Sequence, residues 1–342
     1  MTDLGSSIAG SLLGLFCGDA LGMPFEALPP DAIPERLEME DARLGRGTYT
    51  DDTQMAIAVC ESLLRRDGVD EEDLAATIAA AFDPRRGYGP GTTTVIRLWG
   101  EGVPREEAAL RLFGGEGSAG NGAAMRVAPV GLRFARDPER CVAEARRQAR
   151  LTHAHPLGVD GAAAQAAAVA AAVRGDDHLA AAVAAARTDE LRARLEDAAE
   201  LAGARTEEPQ ARLETAAQLA GARTDEPHAP LETAAELAAT PWPPLPPAEA
   251  ARLLGATVAA HESVPAALLA AAAPTFEAAL TFAVRCGGDT DTVAAMAGAV
   301  AGARHGVEAI PARWLDALED GAKGRSHVER LAQRLAQRVS AA

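Results

Sequence analysis

Two short acidic segments carry most of the polar chemistry in a chain dominated by alanine, leucine and glycine. Tyr49-Thr50-Asp51-Asp52-Thr53 sets adjacent carboxylates directly ahead of an apolar helical run, and Gly287-Gly288-Asp289-Thr290-Asp291-Thr292 sets two more, at i and i+2, ahead of another. One acid at such a position serves to cap backbone N–H groups and complement the helix dipole. Paired acids flanked by threonine hydroxyls offer more, namely the hard oxygen ligands that Mg²⁺ or Mn²⁺ prefers. The glycines before Asp289 allow close backbone approach, so one turn can aim both of its acids at a single point. Four carboxylates gathered in one place repel each other unless cations neutralise them. With Glu26 the formal count is five negatives against the four positives of two divalent ions, so a two-metal, oxygen-ligand site is the economical expectation. Zinc suits this set poorly, because neither segment holds cysteine or histidine at ligand spacing and Cys286 stands alone.

Three further polar features deserve weighing against bland alternatives. Gly18-Asp19-Ala20-Leu21-Gly22 ends the first helical run, and Asp19 reads as a helix-end or buried hydrogen-bonding acid. Glu26, beyond Pro24 in an irregular segment, is placed to reach a metal or a substrate. Gly117-Ser118-Ala119-Gly120-Asn121-Gly122 runs into Ala123-Ala124-Met125-Arg126 as a glycine-rich loop entering a helix, which exposes backbone N–H groups to a phosphate or diphosphate. Many such turns bind nothing. His153 and His155 lie in the segment from Leu151 to Pro156, and His155, next to a proline, reads as structural.

Helices must position these features, since helical periodicity recurs and convincing strand alternation does not. The segment Thr53 to Leu64 is apolar on nearly every side, as befits a helix in the middle of a bundle. Val293, Met296, Ala297, Val300 and Ala301 fall on one helical face. Further helices are expected near 5–16, 71–82, 105–112, 123–134, 138–151, 158–173, 248–259, 275–285 and 323–338. With only 4% aromatic residues the chain reads as all-α, and its alanine and glycine content implies closely packed helix axes. Its 342 residues suffice for one large domain with a substantial core.

Residues 187–240 repeat with a period of 18, each unit a short helix and a turn; in the second copy Leu213, Ala216, Ala217 and Ala220 share a face, Gly221 ends the helix and Pro227 blocks its continuation. A mostly alanine stripe buries little area, so the expectation is a peripheral insertion, closed by the proline-rich stretch 241–247 acting as a stiff linker. The net charge of −16 disfavours nucleic acid and anionic membranes as partners. Four scattered cysteines, an N-terminus without a basic region and the lack of an uninterrupted apolar stretch of about 20 residues lead to the expectation of a cytoplasmic chain with reduced core thiols and no signal peptide or membrane span.

Taken in order, Gly18 to Gly22 with Glu26, Thr50 to Thr53, Gly87 to Thr92, Gly120 to Arg126, Leu151 to Pro156 and Ala283 to Gly306 resemble the ADP-ribosylglycohydrolase family, which includes the dinitrogenase reductase-activating glycohydrolase and its animal relatives. The resemblance spans roughly 5–186 and 248–318. It implies a compact all-α domain with a dinuclear Mg²⁺ or Mn²⁺ centre held by Thr50, Asp51, Asp52, Asp289, Asp291 and Thr292. It also implies that Gly117, Ser118, Ala119, Gly120, Asn121 and Gly122 hold the diphosphate and adjoining ribose, that His153 faces the substrate, and that Glu26 contacts metal or gates the site. Ala119 stands where relatives often carry an aromatic ring, and the 18-residue repeats have no counterpart in the pattern. The implied reaction is hydrolysis at C1″ of an ADP-ribosylated protein or small ADP-ribose conjugate, with Glu26, Asp51 or Asp289 moving the proton. A dimetal nucleotide phosphohydrolase and a non-catalytic ADP-ribose-binding protein are the alternatives.

Overall fold

Glycine recurs at every fourth position of the first helix, α1 (Leu4–Gly22), and this spacing organises the molecule. In the computed structural model of the chain, which describes residues 2–204, 242 and 245–341, α1 lies antiparallel against α14 (Thr290–His305). A methyl group added at Gly10, Gly14, Gly18 or Gly22 would run into the backbone of Gly302, Gly298, Ala294 or Thr290 respectively. The two helices therefore touch backbone to backbone, as the alanine and glycine content implied. Thr290 Oγ1 donates to the Gly22 carbonyl at 2.8 Å and fixes the register at the functional end. α14 is buried from Thr290 to Ala303, so it lacks a polar face and occupies the centre.

Around this pair stand α2 (Asp51–Arg65), α8 (Pro156–Arg174), α12 (Ala260–Ala271) and α16 (Arg325–Ser340). α16 is amphipathic and turns Val328, Leu331, Leu335 and Val339 inward. α1, continued to Phe25, and α8 are long and apolar enough to cross a membrane by length and composition; here they are core helices, with 89% and 78% of those stretches buried. Among the described residues there is no strand, only an isolated bridge between Gly120 and Ala259. All four cysteines are buried and free.

Several elements depart from the expected pattern. α4 (Pro90–Gly100) opens on Pro-Gly and three threonines, whose weak helix propensity hides it, yet Val95, Leu98 and Trp99 bury its inner face. α9 (His178–Ala185) is a short helix capped by Asp177, which accepts from Leu179 N and Ala180 N. The helix expected over 248–259 is α11 (Pro247–Leu254), stopped by Gly255 at φ 83, and α12 then starts afresh at Ala260. Only one turn of the stretch 105–112 is α-helical, α5 (Arg105–Ala108), and only Ala128–Arg133 of 123–134, as α6. The remaining elements, α3 (Glu71–Ala81), α7 (Pro138–Arg150), α13 (Phe276–Arg285) and the single-turn α15 (Ala312–Leu315), complete the shell.

The first repeat copy is not peripheral. It forms α10 (Asp189–Ala204), whose Leu191, Leu195 and Leu201 are buried, because this copy carries three leucines in register where the second has Pro209 in place of the first of them. The other two copies lie outside the described residues. Past them, Trp242 and Leu245 are buried, with the Trp242 ring 5.6 Å from that of Phe282, so these two residues are anchored to the core.

Candidate active site

Three helix ends and two loops meet at the acids. The glycine seam carries the C-terminal end of α1 to the start of α14, and Asp19 then ties α1 to the start of α2. Its carboxylate accepts from Thr50 N at 2.9 Å, from Thr53 N at 3.0 Å and from Thr53 Oγ1 at 2.5 Å. Asp19 is thus the buried hydrogen-bonding acid expected of it, supplying from another helix the acceptor that the first turn of α2 lacks. Thr50 is the N-cap of α2 and accepts from Asp52 N at 3.3 Å. Capping is therefore provided by other residues, and Asp51 and Asp52 are surplus to it. Likewise Asp289 occupies the N-cap position of α14 without a side-chain cap bond and instead accepts from Asn121 Nδ2 at 2.6 Å.

Electrostatics confirm that the two acidic segments share one place. Burial pushes the Asp51 carboxyl up to about 8, with the charges of Asp19 and Asp289 adding to the effect and Arg43 opposing it. Burial holds Asp52 well above the usual carboxylate range, and Asp19, Asp291, Asp51 and Asp289 raise it further. Burial likewise holds Asp291 well above that range, and Asp289, Glu26 and Asp19 raise it further. Burial also brings Asp19 to about 6 against the hydrogen bonds that it accepts. Asp52 Oδ2 is buried with no hydrogen-bond partner. As placed, no three His, Cys, Asp or Glu side chains among the described residues form a group able to hold a metal ion. The chemistry of the donor set nonetheless fits a hard divalent cation: four buried carboxylates, two threonine hydroxyls and an orphaned carboxylate oxygen. The bond from Asn121 engages Oδ2 of Asp289, and the Thr292 amide, 2.9 Å away, engages Oδ1 of Asp291, one oxygen of each carboxylate.

Glu26 is exposed at the rim, just after the 3₁₀ turn Met23–Phe25. Ala27 N donates to the Gly288 carbonyl at 2.8 Å and Gly288 N to that of Leu28 at 3.2 Å, which lays this segment along the start of the second acidic motif. Ala27 adopts φ 65 to do so, a strained value for a residue with a Cβ. On the other side, the Gly117–Gly122 loop is pinned by Asn121 N to Val258 O at 2.9 Å and Ala260 N to Ala119 O at 3.0 Å. Asn121 Nδ2 also donates to Ser263 Oγ at 3.1 Å, so one side chain links the loop, α12 and Asp289. Gly117 sits at φ 77 with the backbone of Ala154 and His155 against it, leaving no room for a side chain. His153 is buried beneath the loop, its Nε2 3.2 Å from where a Cβ on Gly122 would lie. His155 caps α8, accepting from Leu157 N at 3.2 Å, which is the structural role expected.

A model of the ADP-ribosylglycohydrolase family matches residues 1–342. The chain belongs to that family. The match runs past the two stretches marked by motifs and includes the repeat region. ADP-ribosylhydrolase ARH3 from Homo sapiens is 32% identical over 350 residues, covering 92% of this chain and 89% of the human protein. The Danio rerio ADP-ribosylhydrolase ARH3 is 34% identical, covering 96% and 90%. A solved structure titled ADP-ribosylglycohydrolase-related protein complex superposes with a TM-score of 0.73 at 29% identity, over 99% of this chain and 100% of that one. As a member of the ADP-ribosylglycohydrolase family the protein is a hydrolase of ADP-ribose glycosidic bonds.

Some residues around the site gave little signal in the sequence. Arg86 donates to the Tyr49 carbonyl at 2.7 Å, pairs with Glu319 at 2.5 Å and lies 3.7 Å over the Tyr49 ring, while Glu319 accepts from Tyr49 N at 3.0 Å. This clamp holds the strand of chain entering Thr50, and nothing in the spacing of residues 49, 86 and 319 announces it. Tyr88 donates to Gln54 Oε1 at 2.8 Å beside Asp51. Nothing in the sequence around Arg126 marks its partners, Gln148 and Thr152.

Proposed function

We propose that this member of the ADP-ribosylglycohydrolase family hydrolyses the bond at C1″ of an ADP-ribose conjugate using two divalent cations, Mg²⁺ or Mn²⁺. Thr50, Asp51, Asp52, Asp289, Asp291 and Thr292 would hold them. The observation that carries this reading is the gathering of two acidic helix starts, neither needed for capping, into one buried cluster beside a glycine-rich loop. Bound divalent cations supply Lewis acidity and anchoring for hydroxyl oxygens. The chain's own part follows from its geometry. The N–H groups of Ser118, Ala119 and Gly122 donate to nothing among the described residues, which leaves them available to a diphosphate. Asn121 fixes the distance between that loop and Asp289. The acidic cluster favours the positive charge that develops on a ribose ring as its C1″ bond breaks. Glu26, exposed at the rim, and Asp51, buried in the cluster, are the acids assigned to proton transfer.

The test is to incubate the protein with arginine-linked and serine-linked ADP-ribosyl peptides in Mg²⁺, Mn²⁺ or EDTA and to follow products by mass spectrometry. Intact ADP-ribose released only with metal supports the proposal. Release in EDTA overturns metal dependence, and AMP or phosphate in place of ADP-ribose overturns the bond assignment.

A further inference from the structure

Arg126 is fully buried, and its hydrogen-bond partners among the described residues are all neutral. Its Nε donates to Gln148 Oε1 at 2.8 Å, and its Nη2 donates to Gln148 O at 3.0 Å and to Thr152 Oγ1 at 2.8 Å. Nη1 faces the Met55 sulfur at 4.0 Å. A buried guanidinium with no carboxylate against it is costly, and burial pulls its pKa down to about 10, with Tyr88 and Asp51 opposing. Such a cost calls for a return elsewhere in the structure.

The return lies one bond further on. Thr152 Oγ1 sits 2.7 Å from His153 Nδ1. A guanidinium has no acceptor, so toward Arg126 the threonine oxygen can only accept, and its hydroxyl proton is left to be given to Nδ1. A neutral imidazole that accepts at Nδ1 carries its proton at Nε2. Burial together with the Arg126 charge keeps this ring neutral, down to about 3. Nε2 is the nitrogen under the glycine-rich loop, 3.7 and 3.2 Å from where Cβ atoms on Gly120 and Gly122 would lie. Gln148 closes the circuit, since its Nε2 donates to the Ala123 carbonyl at the end of the same loop at 3.0 Å.

We propose that Arg126, acting through Thr152, is a positioning residue that fixes His153 as its Nε2–H tautomer and so makes the ring a hydrogen-bond donor to an oxygen of the ligand held by the Gly117–Gly122 loop. The ligand's identity rests on the function proposed above; the tautomer does not.

The full chain labelled with ¹⁵N-histidine gives a long-range ¹H–¹⁵N spectrum in which His153 is assigned by its loss in His153→Gln. The wild type and Thr152→Ser are expected to show Nε2–H, while Thr152→Val and Arg126→Gln gain the Nδ1–H form. ADP-ribose affinity is expected to fall about tenfold in Thr152→Val, the worth of one hydrogen bond, and to be retained in Thr152→Ser. Thr152→Val is nearly isosteric, so it carries the test if Arg126→Gln fails to fold. A wild-type ring protonated at Nδ1, or an unchanged Nε2–H pattern in Thr152→Val, overturns the proposal. The spectrum needs no substrate, so a failed hydrolysis assay and a failed tautomer assignment are separate results.

Discussion

At the scale of single residues, the acids are informative because other residues already do the work that acids usually do at helix starts. Thr50 caps α2, Asp19 supplies its remaining acceptor, and Asp289 turns to Asn121. Asp51, Asp52 and Asp291 are then buried carboxyls that repel one another once ionised, a repulsion the protein alone does not relieve. Replacing Asp51 or Asp291 with alanine is expected to cut ADP-ribose release roughly 100-fold or more while the far-UV CD spectrum stays helical. The raised carboxyl pKa values also set a pH dependence. Unfolded aspartates titrate near about 3.9, whereas Asp51 titrates at about 8 in the fold. Between those values the folded, metal-free protein binds more protons than the unfolded chain, so its stability falls as pH rises. In EDTA, Tm should decline from about pH 5 to pH 8, and saturating Mg²⁺ or Mn²⁺ should remove the slope. A flat Tm in EDTA contradicts the burial of these acids.

Among the elements, the seam between α1 and α14 decides where the acids meet. Because Gly10, Gly14, Gly18 and Gly22 each face backbone, no rotation of either helix leaves Asp19 and Asp291 in their present places. Gly14→Ala is expected to destabilise the protein by about 1–3 kcal/mol or more through overpacking, measured by denaturant unfolding, whereas Gly100→Ala, with open space around it, should change stability by less than about 1 kcal/mol. A second junction joins α8 to the chain entering α10: Asp160 pairs with Arg146 at 2.6 Å and accepts from Arg187 N and Thr188 N at 2.7 Å each. Burial pushes this carboxyl up, but the hydrogen bonds from Thr188, Arg187 and Arg146 outweigh it and hold the pKa below the usual value. Asp160→Asn should cost about 3–5 kcal/mol above pH 4, the range for breaking a buried pair. Since the folded value is depressed, that difference should shrink as pH falls through it. The sequence revealed the long apolar helices α1, α2, α8 and α14 well, because a helix buried on all sides needs no particular phase. It concealed α4, α9 and α12, whose starts rest on proline, a short aspartate cap and a bridge to the glycine-rich loop.

For the molecule as a whole, residues far apart in sequence close on the active site. Glu319 reaches back to Tyr49 and Arg86 and holds the backbone that leads into Thr50. Glu319→Gln removes the charge from this clamp, and metal affinity measured by calorimetry is expected to fall about tenfold, as for outer partners of a metal site. An unchanged affinity would show that the α1–α14 seam alone suffices. By itself the sequence determined the all-α class, the two acidic motifs and the glycine-rich loop, because ligand type, helix period and turn chemistry are local properties written in neighbouring residues. Tertiary structure alone decided that Asp289 answers to Asn121, that Arg126 is buried without a carboxylate, and that Glu319 supports Thr50. Those partners are set by which backbones a stripe of glycines allows into contact, and no local pattern encodes that choice.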